Sequence, residues 1–241
     1  MRYLATLHGD ETVAHQPGTP EFDETIARYI RFGETAGSAI VTADALQPSA
    51  TVVTVRAGDG DPLVTAGPFI ESTEAIGGMY VLEADTLDDA IELARQIPAA
   101  LTGGIQLRPL VEWFEAGGDQ PGDDDHPRYL ALIYGKETEA DVPGTPAWDE
   151  GAAAHGRFAE KAGAALRAGG ALHPASTTTT VRVRDGEMQV TDGPYVETAE
   201  VVGGLYLFNR LTRDEATALA AQIPVGPGGG VELRPIMEVG A

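Results

Sequence analysis

Displaced by 126 positions, the sequence matches itself without a gap. Arg2-Tyr3-Leu4-Ala5 falls on Arg128-Tyr129-Leu130-Ala131 and Pro17-Gly18-Thr19-Pro20 on Pro143-Gly144-Thr145-Pro146. Further along, Thr54-Val55-Arg56 meets Thr180-Val181-Arg182, Gln96-Ile97-Pro98 meets Gln222-Ile223-Pro224, and Leu107-Arg108-Pro109 meets Leu233-Arg234-Pro235. About 53 positions are identical when residues 1–115 are laid on 127–241, roughly 46%. The chain is therefore two copies of one fold, and the register predicts a first repeat over 1–114 and a second over 128–241. Residues 115–127, rich in Gly, Pro and Asp, cannot form a core element and read as a linker.

Each copy opens on an apolar run, Tyr3 to Leu7 and Tyr129 to Ile133, that suits a central strand. Thr19-Pro20 and Thr145-Pro146 then supply an N-cap with proline at the first helical position. Phe22, Ile26, Tyr29 and Gly33 fall on one helical face, as do Trp148, Ala152, His155 and Ala159. Thr51–Arg56 and Thr177–Arg184 are β-branched runs, the latter ending at Asp185-Gly186, a two-residue hairpin signal. Ile76–Leu82 and Val202–Phe208 read as strands. Thr86 with Asp89, and Thr212 with Glu215, then resemble capping boxes that open a second helix. A last strand over Gly104–Leu110 gives the order β-α-β-β-β-α-β. The pattern predicts an α+β, ferredoxin-like repeat with both helices on one sheet face. The uncovered faces are expected to pack sheet to sheet, as an internal pseudo-dimer.

No cysteine is present, which excludes disulfides, thiolate catalysis and Cys-ligated metal sites. A formal charge of −21 disfavours nucleic-acid and anionic membrane partners. No run approaches the length of a membrane span, and the N-terminus reads as a strand rather than a signal, so a cytoplasmic location is expected. Asp123-Asp124-Asp125-His126 could draw a cation, but neighbouring residues of a flexible segment rarely converge as ligands. No metal site and no cofactor are expected.

Ala66-Gly67-Pro68-Phe69-Ile70-Glu71 and Asp192-Gly193-Pro194-Tyr195-Val196-Glu197, each followed by a Gly-Gly pair, resemble the signature of the YCII-related family in its DGPF-domain subgroup. Leu172-His173-Pro174, Val181-Arg182 and Glu232-Leu233-Arg234-Pro235 carry the same likeness. It covers both copies nearly end to end. The resemblance implies a dimeric α+β barrel fold, a cleft beside the sheet, and a His-Asp pair as active site. Some relatives are lyases or dehydrohalogenases, and subgroup members occur in association with extracytoplasmic-function sigma factors. Carried over, the pair is His155 and Asp192; the first copy has Tyr29 and Ala66 instead.

An imidazole shuttles protons near neutrality, and a carboxylate within reach would fix its tautomer. His155 could equally be a satisfied core residue, and Asp192 the first residue of a tight turn. Their joint loss from the first copy brings the chemical reading level with the structural one. Arg182 and Tyr195 are the expected substrate-binding residues, although Arg182 could simply pair with a carboxylate. Glu197 and Glu200 recur as Glu71 and Glu74 and read as turn or cap groups, while His8, His15, His126 and His173 have no counterpart histidine. The expectation is a cofactor-free lyase, isomerase or hydrolase acting on a small molecule. The alternative is a ligand-binding or regulatory module linked to such a sigma factor, and a homo-oligomer of the pseudo-dimer is possible in either case.

Overall fold

The computed structural model describes residues 1–13, 18–57, 61–70, 74–116, 125–138, 142–196 and 198–238. Most of the linker, His15, Glu71 and Glu197 lie outside the described residues. The strands are β1 (Arg2–Asp10), β2 (Ile40–Ala45), β3 (Val53–Arg56), β4 (Leu63–Ala66), β5 (Glu74–Glu83), β6 (Gly104–Glu115), β7 (Tyr129–Gly135), β8 (Leu166–Leu172), β9 (Thr179–Arg184), β10 (Glu187–Asp192), β11 (Val201–Phe208) and β12 (Gly230–Pro235). The helices are α1 (Pro20–Ala36), α2 (Leu87–Ala94), α3 (Ala99–Thr102), α4 (Pro146–Ala162) and α5 (Arg213–Ala220). The fold is mixed α+β, and its strand ladders are antiparallel.

The chain forms two compact units that exchange a hairpin relative to the sequence repeats. The first unit comprises Met1–Ala45, Ser72–Pro109 and Ser176–Glu197, so it takes the β9–β10 hairpin from the second repeat. The second comprises Leu46–Glu71, Leu110–Ala175 and Thr198–Ala241, and takes β3–β4 from the first. A hairpin is self-contained, with its turn set by Asp185 (φ 54°) and Gly186 (φ 82°) in the second repeat, so it can be lent without breaking its own ladder.

In the first unit β1 lies between β5 and β6, β2 adds to β5, and β9 with β10 extends the sheet from β6. Phe32 of α1 and Ala90, Ile91 and Ala94 of α2 pack against Tyr3, Ala5, Tyr80, Leu82, Leu107 and the borrowed Val181. Arg184 holds the hairpin to the body by donating to the carbonyls of Ala100, Leu101 and Gly103 at 2.7–3.1 Å, which satisfies the open end of α3. In the second unit β7 lies between β11 and β12, β8 adds to β11, and β3 with β4 extends from β12. Its core joins Phe158, Tyr206, Phe208, Ala216 and Leu233 to the borrowed Val53 and Val55.

The expected caps form: Thr19 and Thr145 accept from the third residue of their helices, and Thr86/Asp89 and Thr212/Glu215 make full capping boxes. The expected order omits β2, β8 and α3. β8, Leu-Arg-Ala-Gly-Gly-Ala-Leu, has little of the β-branched content that marks a strand; it pairs because neighbouring side chains fill the space that its glycines leave. The fully buried residues of α1 and α4 are Phe32 and Phe158, while Tyr29 and Ala159 of the expected faces pack against the cores as partly buried residues.

Candidate functional site

His155 stands on α4 of the second unit, half-buried over the sheet. Its Nδ1 shares a 2.9 Å hydrogen bond with the hydroxyl of Tyr206 on β11. Tyr206 lies flat on β8 because Gly169 has no side chain: a Cβ there would stand 2.5 Å from the Tyr206 ring and 2.9 Å from Phe114. Phe158 closes the other flank, 5.0 Å from the Tyr206 ring centre. Burial pushes the His155 pKa below the ordinary 6.5, so the ring is neutral at pH 7. Burial raises the Tyr206 phenol, with the Glu112 charge adding to the effect, so that group keeps its proton. The first unit has Tyr29 and Tyr80 at these places, and desolvation pushes Tyr29 up to about 12. Neither phenol takes up or releases a proton near neutral pH; the imidazole is the group that can.

The expected pair is His155 with Asp192; the hydrogen-bond partner that the second unit itself gives His155 is Tyr206. Asp192 belongs to the first unit, exposed at the end of the borrowed β10. Arg182 and Tyr195, the expected substrate-binding residues, ride on the same hairpin and do come together: the Arg182 guanidinium carbon lies 4.3 Å from the Tyr195 ring centre. The turn that presents Tyr195 is fixed by Gly193 (φ 103°), whose N–H donates to Thr178 O and whose carbonyl accepts from Thr180 Oγ1.

Around Tyr195 stand groups from the first repeat that sequence reasoning misses. His8 stacks on the ring at 4.7 Å and an interplanar angle of 17°, and its Nε2 shares a 2.9 Å bond with Thr6 Oγ1. The Tyr195 N–H donates to Gln106 Oε1 and its phenol to Glu74 Oε1, both at 2.9 Å. Gly104 makes room, since a Cβ there would meet the Tyr195 ring at 2.5 Å. Desolvation, then the bond to Glu74, raises the Tyr195 phenol against the opposing pull of Arg182. His8 lacks a counterpart histidine because position 134 holds tyrosine. That mismatch is itself the readable signal: a histidine at one copy of a matched aromatic position.

The second unit builds the same turn from closed parts. Phe69 stacks on Tyr134 at 4.8 Å, with the Arg56 guanidinium carbon 3.8 Å from the Phe69 ring centre and its Nη2 donating to Phe69 O. The Phe69 N–H donates at 2.8 Å to Glu232, which faces Arg234 at 3.4 Å. Glu232 and Arg234 are each 2% exposed. Burial raises the Glu232 pKa, while Arg234 and the Phe69 N–H oppose the shift.

The sequence pattern of the YCII-related domain matches residues 1–114 and again residues 128–240. The chain belongs to the YCII-related domain family, as a tandem pair. An uncharacterized protein of Rhizobium meliloti is 30% identical to it over 120 residues, which is 92% of that protein and 46% of this chain, about the length of one repeat. His8, His155, Gln106 and Tyr195 are among the positions at which the two repeats differ. Among the described residues no helix is long and apolar enough to cross a membrane.

Proposed function

We propose that this YCII-related tandem pair acts on a small molecule by proton transfer at His155, in a lyase, isomerase or hydrolase step, with Tyr206 as the positioning residue. The observation that carries the reading is the 2.9 Å His155–Tyr206 bond on a ring that burial keeps neutral. With Nδ1–H donating to the phenol oxygen, Nε2 presents a lone pair and serves as a general base. With the phenol donating instead, Nε2 carries the proton and serves as a donor. The reading assigns the working state to the first tautomer. The DGPF subgroup is supported by Asp192-Gly193-Pro194-Tyr195, and a ferredoxin-like unit by the order β2-β5-β1-β6 in the first unit. Arg182 and Tyr195 remain the proposed ligand-binding residues of the first unit, and a cytoplasmic location remains the expectation.

A second reading, a non-enzymatic ligand-binding or regulatory module, is supported by the same bond, because a satisfied core histidine makes one too. A small-metabolite screen by thermal shift separates the two. The first reading expects a compound that stabilises the protein and is converted by it, with conversion falling about 10²–10⁴-fold in His155→Ala. Conversion within a few-fold of wild type in that variant would overturn it. Compounds that bind and are never converted would favour the module.

A further inference from the structure

We propose that the His8–Tyr195–Arg182 cluster of the first unit is a binding site for a small carboxylate, separate from His155 and independent of its role. The comparison with the second unit sets what is unusual here. Arg56 spends its Nη2 on the Phe69 carbonyl and lies over a ring that is 6% exposed, whereas Arg182 stands over a half-exposed ring and has no carboxylate partner among the described residues. Glutamine replaces glutamate at position 106 relative to Glu232, which keeps the acceptor for the turn N–H and removes its negative charge. The local balance thus shifts toward binding an anion. Thr6 for Leu132, His8 for Tyr134 and Tyr195 for Phe69 each put a hydrogen-bonding or titratable group where the second unit has a less polar one.

The ligand class follows from the groups present. One planar guanidinium fork matches one carboxylate, with two parallel N–H donors. Glu74, already accepting from the Tyr195 phenol, would repel a dianion such as phosphate more than a monoanion. The phenol, whose O–H points at Glu74 and whose oxygen also faces Arg182, keeps one lone pair for a hydroxyl or amine on the same ligand.

The test is NMR on protein labelled at histidine rings and arginine side chains, titrated with acetate and, separately, with inorganic phosphate at constant ionic strength. Acetate should shift the His8 ring and Arg182 Nε signals saturably. Arg182→Gln should abolish the response, and Arg182→Lys, which keeps the charge but loses the fork, should weaken it several-fold. Arg31→Gln, which removes the same charge from the exposed face of α1, should leave it intact. Unperturbed amide spectra of each variant establish that the fold is retained. The proposal fails if acetate gives no saturable shift, if the shift survives Arg182→Gln, or if phosphate binds as tightly as acetate.

Discussion

The turn after β10 in the first unit and the turn after β4 in the second share one backbone. Gly193 and Gly67 have φ of 103° and 101°, and each donates its N–H to the residue just ahead of its hairpin, Thr178 O at 2.8 Å and Val52 O at 2.9 Å. Thr180 and Thr54 both reach back to the glycine carbonyl, at 2.9 and 2.7 Å. The side chains around that backbone have diverged: one turn is sealed by Phe69, Tyr134 and a buried Glu232–Arg234 pair, the other is ringed by half-exposed His8, Tyr195, Gln106 and Glu74. At the helix position the divergence runs the opposite way, with Tyr29 in the first unit and His155 in the second. Each unit therefore keeps one titratable imidazole at one of the two places and fills the other with phenol or phenyl. The fold needs the glycine, the threonine and the acceptor for the turn N–H; it does not need the chemistry, so the chemistry is free to differ.

If sealing distinguishes the turns, a methyl group should cost more in the sealed one. A Cβ on Gly230 would meet Val55 O at 2.7 Å and Phe69 at 2.8 Å, while one on Gly104 meets only the Tyr195 and Arg182 side chains within 3.2 Å. Backbone cannot step aside; a half-exposed side chain can. Gly230→Ala should destabilise by about 3 kcal/mol and Gly104→Ala by about 1 kcal/mol, read by denaturant unfolding. Equal losses would mean that both turns are packed alike.

The acceptor for the turn N–H gives the next contrast. Glu232→Ala leaves the buried Phe69 N–H unsatisfied and removes the carboxylate that faces Arg234, and should cost about 2–3 kcal/mol. Gln106→Ala, in a half-exposed setting that water can reach, should cost about 1 kcal/mol or less. Glu232→Gln should be milder than Glu232→Ala, because Gln106 already performs that role with its amide oxygen. A Glu232→Gln loss as large as that of Glu232→Ala would show that the charge, not the acceptor, holds the turn.

A smaller effect is the pH dependence contributed by His155. Its folded pKa lies below the unfolded 6.5, so the unfolded chain binds the proton more readily. The contribution to stability is complete above pH 6.5 and is lost as the pH falls below 6.5 through the folded value. His155→Phe should flatten the unfolding midpoint between pH 7 and 5 relative to wild type. If wild type and His155→Phe lose equal stability across that window, the ring is not a neutral buried one.

Much of this is readable from residues alone. The helix starts at Thr19, Thr145, Thr86 and Thr212 are local signals, since a cap is made by groups three residues apart. The Asp185-Gly186 hairpin is equally local. The strand β8 is not readable, because Gly169 and Gly170 belong in a strand only through what packs against them: the Tyr206 ring at 2.5 Å and Glu112 O at 2.8 Å from their would-be Cβ atoms. The exchange of hairpins is likewise invisible in a repeat, since β3 and β9 have closely similar sequences and either would suit either sheet edge. That exchange explains the partial reading of the site. His155 and Asp192 are 37 residues apart in one repeat, yet one remains with its unit while the other leaves on the lent hairpin. Arg182 and Tyr195 travel together and so remain neighbours.

The central claim is that His155 is a neutral imidazole at physiological pH, held by Tyr206, and that this sets the second unit apart from the first. A pH titration of the histidine ring carbons by NMR, with His155 assigned from His155→Gln, tests it directly. The account predicts a His155 midpoint below 6.5, with ring nitrogen shifts above it reporting the Nδ1–H tautomer, and a change of tautomer balance in Tyr206→Phe. A His155 midpoint at or above 6.5, or ring shifts indifferent to the loss of the Tyr206 hydroxyl, would contradict it.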